Sequence, residues 1–278
     1  MDFLTTIMVL CAAVLHATWN ALVKGGRDPL YDAAGMSVAW LVLCIVGIPF
    51  FPAPDLAVWP YVLVSLVVHT GYLYFLSRSY SIGDFSAVYP VMRGLPPVLV
   101  SVAGMFLAGE VLPLAGGLGV VAVSCGILVL EIGKKGTSRR LFMYAFATAC
   151  MIAAYTVSDG LGARVSGNSF GFILWLTLFQ SLTFLGFVML LGGRQGCMAH
   201  IRAHWKRGVA SGTISLAAYT IVLWAMTRAP IAYVSATRET SVLFAGLIGA
   251  LFLSEPLQKK RIFSAAIILC GIILIKAG

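Results

Sequence analysis

The chain has 278 residues, of which 60% are hydrophobic and only 10% are charged, with a formal net charge of +9 at neutral pH. This composition lies outside the range of water-soluble domains and is typical of a protein surrounded by lipid. Nucleic acid is excluded as a partner because the basic residues are dispersed through loops between apolar segments, with no soluble domain to hold a duplex.

The apolar segments predict ten membrane-spanning helices. A bilayer core of about 30 Å needs roughly 20 apolar residues per helix. We predict spans 1 to 10 at residues 3–23, 31–51, 57–77, 85–108, 112–131, 140–160, 169–191, 208–227, 231–253 and 261–277. A β-barrel is disfavoured because runs such as Val98 to Leu107 do not alternate apolar and polar residues. The first run has no basic flank and carries polar residues, so we expect it to be retained rather than cleaved as a signal peptide.

The loops between these spans predict an orientation. Most of the 19 Lys and Arg residues follow odd-numbered spans. Because basic loops stay in the cytoplasm, we expect those loops inside and both termini outside. The predicted location is a bacterial-type cytoplasmic membrane, crossed many times.

The second half of the sequence repeats the first. An offset of 139 residues near the start pairs His16 with Tyr155 and Asn20 with Asp159. An offset of 145 further along pairs Tyr74 with Tyr219, Ala87 with Ala232, Arg93 with Arg238, Gly104 with Gly249 and Glu110 with Glu255. We therefore predict two five-helix repeats, residues 1–133 and 134–278. Because five is odd, the second repeat enters the membrane inverted, an arrangement typical of carriers with a site at the midplane.

The repeated segments also resemble a known family. The runs at 107–130 and 252–275, each with a Glu before a Gly-containing helix, resemble the end of a domain of the drug/metabolite transporter superfamily, EamA family. The run HATWNALVK at 16–24 resembles the opening helix of that family. The resemblance implies ten helices around a central substrate cavity.

Two arginines are the first candidates for substrate binding. Arg93 lies inside span 4 between Pro90 and the pair Pro96–Pro97, which predicts a broken helix. Its mate Arg238 lies in span 9 within the polar run of residues 235–241. Charge at this depth is costly and normally faces a cavity or a partner. The two guanidinium groups could bind a carboxylate or phosphonate, or they could form internal ion pairs with Glu239 or Asp159.

Spans 1 and 6 supply a second group of candidates. His16 and Asn20 are four residues apart and share a helix face, as do Tyr155 and Asp159. Asp159 could balance an Arg, bind a substrate ammonium, carry a coupling proton or form a helix-to-helix hydrogen bond. The remaining candidates are aromatic residues beside these faces: Trp19, Tyr74 and Tyr219.

Glu110 and Glu255 have a structural interpretation first. Each precedes a proline in a turn, where a carboxylate can cap the exposed amides of the next helix. Coupling or gating is the alternative for both residues.

Charge in the predicted cavity indicates the substrate class. If Arg93, Arg238, Asp159 and Glu239 are all ionised, their charges cancel, and a neutral but dipolar site suits a zwitterion better than a bare cation. We therefore predict a secondary transporter for a small zwitterionic or anionic metabolite, amino-acid-like or phosphonate-like, working by alternating access. The Arg pair and the opening run also resemble members of the family associated with phosphonate use.

Other functions are less favoured by the sequence. Small multidrug exporters of the superfamily rely on an acidic residue in the first helix, where this chain has His16 and Asn20, so export of cationic drugs or amines is the alternative. A channel and an intramembrane enzyme rank lower. For an enzyme, there is no HExxH motif, and a repeat of five plus five helices has no special use in such chemistry. The six cysteines lack metal-ligand spacing. We expect no metal or cofactor, protons as a candidate coupling ion, and a monomer or weak homodimer.

Overall fold

The protein is an all-helical membrane protein. The structure, a computed structural model, describes residues 1–24, 26, 28–82, 91–130, 139–252 and 259–278, and these ranges contain no β-strand. Six helical segments in them are long and apolar enough to cross a membrane, which confirms the multi-pass prediction. They are Phe3–Val23, Leu30–Phe50, Leu56–Leu76, Arg139–Val165, Ser169–Leu190 and Trp205–Met226.

The helices follow one another with short connections. In chain order they are α1 (Phe3–Lys24), α2 (Pro29–Gly47), α3 (Trp59–Ile82), α4 (Pro96–Leu107), α5 (Leu114–Val129), α6 (Arg139–Val165), α7 (Ser169–Gly192), α8 (Arg194–Ala203), α9 (Trp205–Met226), α10 (Ile231–Arg238), α11 (Ser241–Phe252) and α12 (Lys259–Ala277). Residues 91–94 are also helical and lead into α4.

Most predicted spans correspond to one helix, with two differences. Span 9, predicted as one helix, consists of two helices, α10 and α11. Span 4 is interrupted at Leu95, as the broken helix predicted for it requires. The short helix α8 between spans 7 and 8 was not predicted. Pro90, Ala87, Glu255 and Pro256, on which the sequence predictions partly rest, lie outside the described residues.

Polar residues define where several helices begin. The Asp28 carboxylate accepts hydrogen bonds from the backbone N–H of Leu30 at 3.0 Å and of Tyr31 at 3.2 Å, and Pro29 occupies the first turn of α2. Asn168 caps α7 in the same way. At the start of α1, hydrogen bonds from Thr5 lower the pKa of the exposed Asp2 carboxyl. These caps satisfy amides that a helix leaves open at its first turn.

The outer surface of the helices is apolar. Large side chains such as Val67, Phe106, Leu190 and Phe263 are between 61% and 87% exposed. A water-soluble protein would bury such residues, whereas a protein in a bilayer presents them to lipid. The exposed apolar faces therefore agree with the membrane location.

Helices of the first half pack against helices of the second half. α1 contacts α9 and α3 contacts α6, while α4 contacts α6 and α1 contacts α11. The repeat relates α1 to α6, α3 to α9, α4 to α11 and α5 to α12. Exchanging these mates turns the α1–α9 contact into the α6–α3 contact and the α4–α6 contact into the α11–α1 contact. The contact between α5 and α12 is unchanged by the exchange. This exchange agrees with the two predicted repeats, although the inverted ten-helix arrangement stays a prediction.

The contact between α5 and α12 requires glycine. A Cβ atom on Gly119 would lie 2.6 Å from the carbonyl oxygen of Gly271, and a Cβ atom on Gly271 would lie 2.7 Å from that of Gly119. The Ser264 hydroxyl donates to the Gly126 carbonyl at 2.6 Å across the same contact. Small residues thus let the two backbones touch, as is common between membrane helices.

Candidate functional site

Two helix interruptions lie at repeat-related positions. Span 4 bends at Leu95, directly before Pro96 and Pro97, and span 9 turns at Glu239 and Thr240. The 145-residue repeat offset aligns Leu95 of the first half with Thr240 of the second. At the second interruption the Thr240 amide donates to the carbonyl of residue 237 at 3.1 Å, which is a tighter turn than an α-helix makes. Broken helices at membrane depth are where carriers place their ligand sites.

A buried ionic cluster lies at these interruptions. Glu239 is shared by both arginines, since its Oε2 lies 3.2 Å from Arg93 Nε and its Oε1 accepts a hydrogen bond from Arg238 at 3.3 Å. The side chains of Arg93, Glu239 and Arg238 are 10%, 0% and 6% exposed. The ion-pair alternative from the sequence is thus confirmed for Glu239. One carboxylate between two guanidinium groups leaves this cluster with an excess positive charge.

His16 of α1 completes this cluster. The Arg93 guanidinium donates to His16 Nε2 at 2.5 Å. Because a guanidinium has no acceptor, Nε2 of His16 must accept and the imidazole is neutral in this arrangement. The Trp19 ring meets the His16 ring edge-on at 5.0 Å, and the Asn20 side chain donates to the His16 backbone carbonyl at 2.7 Å. α1 therefore brings all three predicted residues to one place.

Asp159 forms a second buried acidic position. It is 0% exposed, and its Oδ2 accepts a hydrogen bond from the Tyr219 hydroxyl of α9. The α6 helix that carries Asp159 packs against α10, which carries Arg238. With Asp159 and Glu239 ionised, the two arginines are balanced and the four charges sum to zero.

An uncharged polar network continues from Tyr155, one helical turn before Asp159. The His69 ring stacks on the Tyr155 ring with centroids 4.1 Å apart, and the Tyr72 ring meets it edge-on. Gln180 Nε2 of α7 lies 3.3 Å from both Ser65 Oγ and His69 Nδ1. Sequence reasoning missed Gln180, although a lone amide inside an apolar span was a usable signal.

Several buried polar atoms at the site have no hydrogen-bond partner within the described residues. They include a charged donor, Arg238 Nε, and a charged acceptor, Asp159 Oδ1. Beside the second interruption, the buried hydroxyls of Ser235, Thr237 and Ser241 also have no hydrogen-bond partner among the described residues. Each such atom costs about 1–3 kcal/mol, so native proteins keep them where a ligand or water satisfies them.

Comparison with known proteins identifies the family. The model of the EamA-like transporter family matches residues 140–277. The chain belongs to the EamA-like transporter family. That family is part of the drug/metabolite transporter superfamily, so this EamA-like protein is a multi-pass membrane transporter of that kind.

Solved structures support the fold alone. One crystal structure of a protein resembles this EamA-like chain with a TM-score of 0.75 at 17% identity, and the match covers 99% of this chain and 96% of the other. Comparison with curated proteins gave no match.

Tyr74 lies apart from the other predicted site residues of this EamA-like protein. It is 45% exposed, and its ring packs edge-on against Phe75. Five residues separate it from His69, so it lies about 140° around α3 from the face that stacks on Tyr155. Its repeat mate Tyr219, in contrast, reaches Asp159.

Glu110 caps a helix, but a different one from that predicted. Its carboxylate accepts the backbone N–H of Ile231 at 2.9 and 3.0 Å, at the start of α10, whereas we expected it to cap the next helix, α5. It also pairs with Arg164 at 2.6 Å, and that guanidinium donates to the carbonyls of Met226 and Ala229. The turn after α4 is therefore tied to the ends of α6, α9 and α10. Glu255 lies outside the described residues.

Proposed function

We propose that this protein is a secondary transporter that moves a small zwitterionic or anionic metabolite, amino-acid-like or phosphonate-like, by alternating access. The observation that carries this proposal is the pair of opposite unsatisfied charges, Arg238 Nε and Asp159 Oδ1, buried beside two broken helices. A substrate carboxylate or phosphonate suits the guanidinium, and a substrate ammonium suits the carboxylate.

Glu239 gives this site a means to release and accept an anion. Its carboxylate lies against both arginines, at 3.2 and 3.3 Å. A substrate anion that enters would replace it as the partner of one guanidinium, so the buried charges stay compensated throughout. A substrate that carries only a positive charge could not replace the Glu239 carboxylate beside a guanidinium in this way.

The relation between the two halves supports alternating access. Helix contacts recur when repeat mates are exchanged, and both helix interruptions fall at matched positions. Two inverted five-helix halves, residues 1–133 and 134–278, can therefore adopt each other's conformation and open a midplane site to either side. We further propose a bacterial-type cytoplasmic membrane as the location and a monomer or weak homodimer as the assembly.

Two measurements test the transport proposal. Thermal unfolding of the purified protein against amino acids, phosphonates and amines identifies ligands, because a ligand that binds the folded state raises its melting temperature. Counterflow of the ligand in proteoliposomes then tests transport. We expect Arg238→Ala to abolish counterflow while the protein still inserts.

Arg228→Ala is the matched control. Arg228 is exposed at the end of α9 and lies 4.7 Å from the Trp224 ring. We expect this variant to transport normally. Normal counterflow by both Arg93→Ala and Arg238→Ala would remove the arginines from the substrate site.

Export of a cationic amine is the second candidate, and one observation favours it. Asp159 is fully buried and has an oxygen without a hydrogen-bond partner among the described residues, which an ammonium would satisfy. Thermal shifts with amines that lack a carboxylate, and none with zwitterions, would select this candidate over the first.

Protons are the coupling ion that we propose. Glu239 and Asp159 are buried carboxylates that could each carry one proton between the two sides. Uphill uptake should therefore stop when the proton gradient is collapsed while counterflow continues. Unchanged uphill uptake would exclude this coupling.

A further inference from the structure

The helix α8 is too short to cross the membrane. Its 10 residues span about 15 Å, half of a bilayer core. It begins directly after Gly193, whose φ of +81° is a conformation that glycine adopts without strain, and only His204 separates it from α9. The helix therefore does not span the bilayer and connects two spanning helices at the end where α7 stops.

One face of α8 is fixed to the protein. Cys197 is fully buried and packs with Ala34 of α2 and with Leu185 and Val188 of α7. Burial raises the pKa of the Cys197 thiol, so it stays protonated and apolar. This packing determines which side chains of α8 face outward.

The outward face is basic. Arg194, Arg202 and Lys206 are exposed, and the whole sequence from residue 160 to 238 contains no acidic residue. Two acids lie near this region. Asp32 is buried and pairs with His200 at 3.1 Å and with Arg207 at 3.8 Å, and the Asp28 carboxylate is used as the cap of α2. The outward charges are thus left to an external anion.

A cleft opens at the corner between α8 and α9, directly after Arg202 in the chain, and Lys206 lines it. It has a volume of about 390 Å³ and is lined by residues 203–207. Trp205 is 56% exposed at its edge, with the Lys206 ammonium 5.9 Å from its ring centroid. An exposed tryptophan beside basic residues at the end of a membrane helix is the pattern of the lipid headgroup level.

We propose that the corner of α8 and α9 binds the phosphate headgroup of an anionic phospholipid. The leaflet is the one next to the basic loops, whose surface is negatively charged and attracts basic side chains. Arg202 and Lys206 contact the phosphate, and Trp205 inserts between the headgroup and the acyl chains. This site is independent of the transport site.

Native mass spectrometry of the full protein tests this proposal. We expect phosphatidylglycerol to bind at least tenfold more tightly than phosphatidylcholine with the same acyl chains. Because each basic side chain near the headgroup contributes about fivefold, the variant Arg202→Gln/Lys206→Gln should lose most of this preference. Both residues are exposed, so the variant should fold like the wild type.

Arg139→Gln/Arg140→Gln is the matched control, since it removes two exposed charges at the start of α6 on the same predicted side. This variant should keep the preference for phosphatidylglycerol. An equal loss in both variants, or no preference in the wild type, would overturn the proposal. Displacement of the lipid by millimolar inorganic phosphate would also overturn it, because the site would then be a free-anion site.

Discussion

Replacing Glu239 with Gln should destabilise the protein strongly. The substitution keeps the size of the side chain but removes the charge that two buried arginines share at 3.2 and 3.3 Å. Breaking a buried pair costs about 3–5 kcal/mol. The amide still accepts a hydrogen bond from Arg238, so we expect the lower limit, about 3 kcal/mol. At roughly 2 °C per kcal/mol for a chain of this size, the melting temperature should fall by about 6 °C.

Thermal unfolding in detergent measures this effect, and a double-mutant cycle assigns it. If Arg93 and Glu239 interact, the variant Arg93→Gln/Glu239→Gln should be more stable than the sum of the single changes by about 1 kcal/mol or more. Asp55→Asn is the control, because Asp55 is exposed and caps no helix through its side chain, and it should shift stability by less than about 0.5 kcal/mol. Additive effects, or a Glu239→Gln protein as stable as the wild type, would refute the shared ion pair.

Three further substitutions have defined outcomes. Glu110→Ala removes an ion pair and the cap on the Ile231 amide, so thermal unfolding should show a loss of about 2–3 kcal/mol. Gly271→Leu should prevent folding or sharply lower the melting temperature, since a Cβ atom there lies 2.7 Å from the facing backbone, whereas Gly117→Leu meets no atom within 4 Å and should be tolerated. Gln180→Leu removes the hydrogen bond to Ser65 and the contact with His69, so thermal unfolding should show a loss of about 1 kcal/mol.

The interruption of span 4 is predictable from sequence because its cause is local, whereas the break in span 9 was not predicted. Pro96 and Pro97 remove backbone donors in span 4. The polar run at 235–241 would be costly in contact with lipid, so it is expected to face the protein interior. The 145-residue repeat offset by itself pairs Arg93 with Arg238. The sequence leaves open the choice between substrate contact and ion pairing, since both use the same residues.

Contacts between distant segments are harder to predict. Glu110 resembles a cap for the next helix, but its partner Ile231 lies 121 residues further along the chain. Arg164 follows a predicted span and has the sequence pattern of an ordinary loop charge. A capping residue is recognisable from its type and its neighbours, whereas the helix it caps depends on how the helices pack.

The helix α8 escapes prediction for a different reason. Its residues 194–203 are too polar to form a span, so they fall between spans 7 and 8 as an apparent loop. An amphipathic surface helix has a mixed composition, and a search for continuous apolar runs passes over it. Gly193 before it and Trp205 after it are the local signals.

The most direct test of the central claim is a structure of the protein with the ligand that gives the largest thermal shift. We predict that the ligand lies between the broken helices, with its carboxylate or phosphonate within hydrogen-bond distance of Arg238 or Arg93 and its ammonium against Asp159. A ligand bound elsewhere, with the Arg93–Glu239–Arg238 cluster unchanged, would contradict the assignment of this cluster as the transport site.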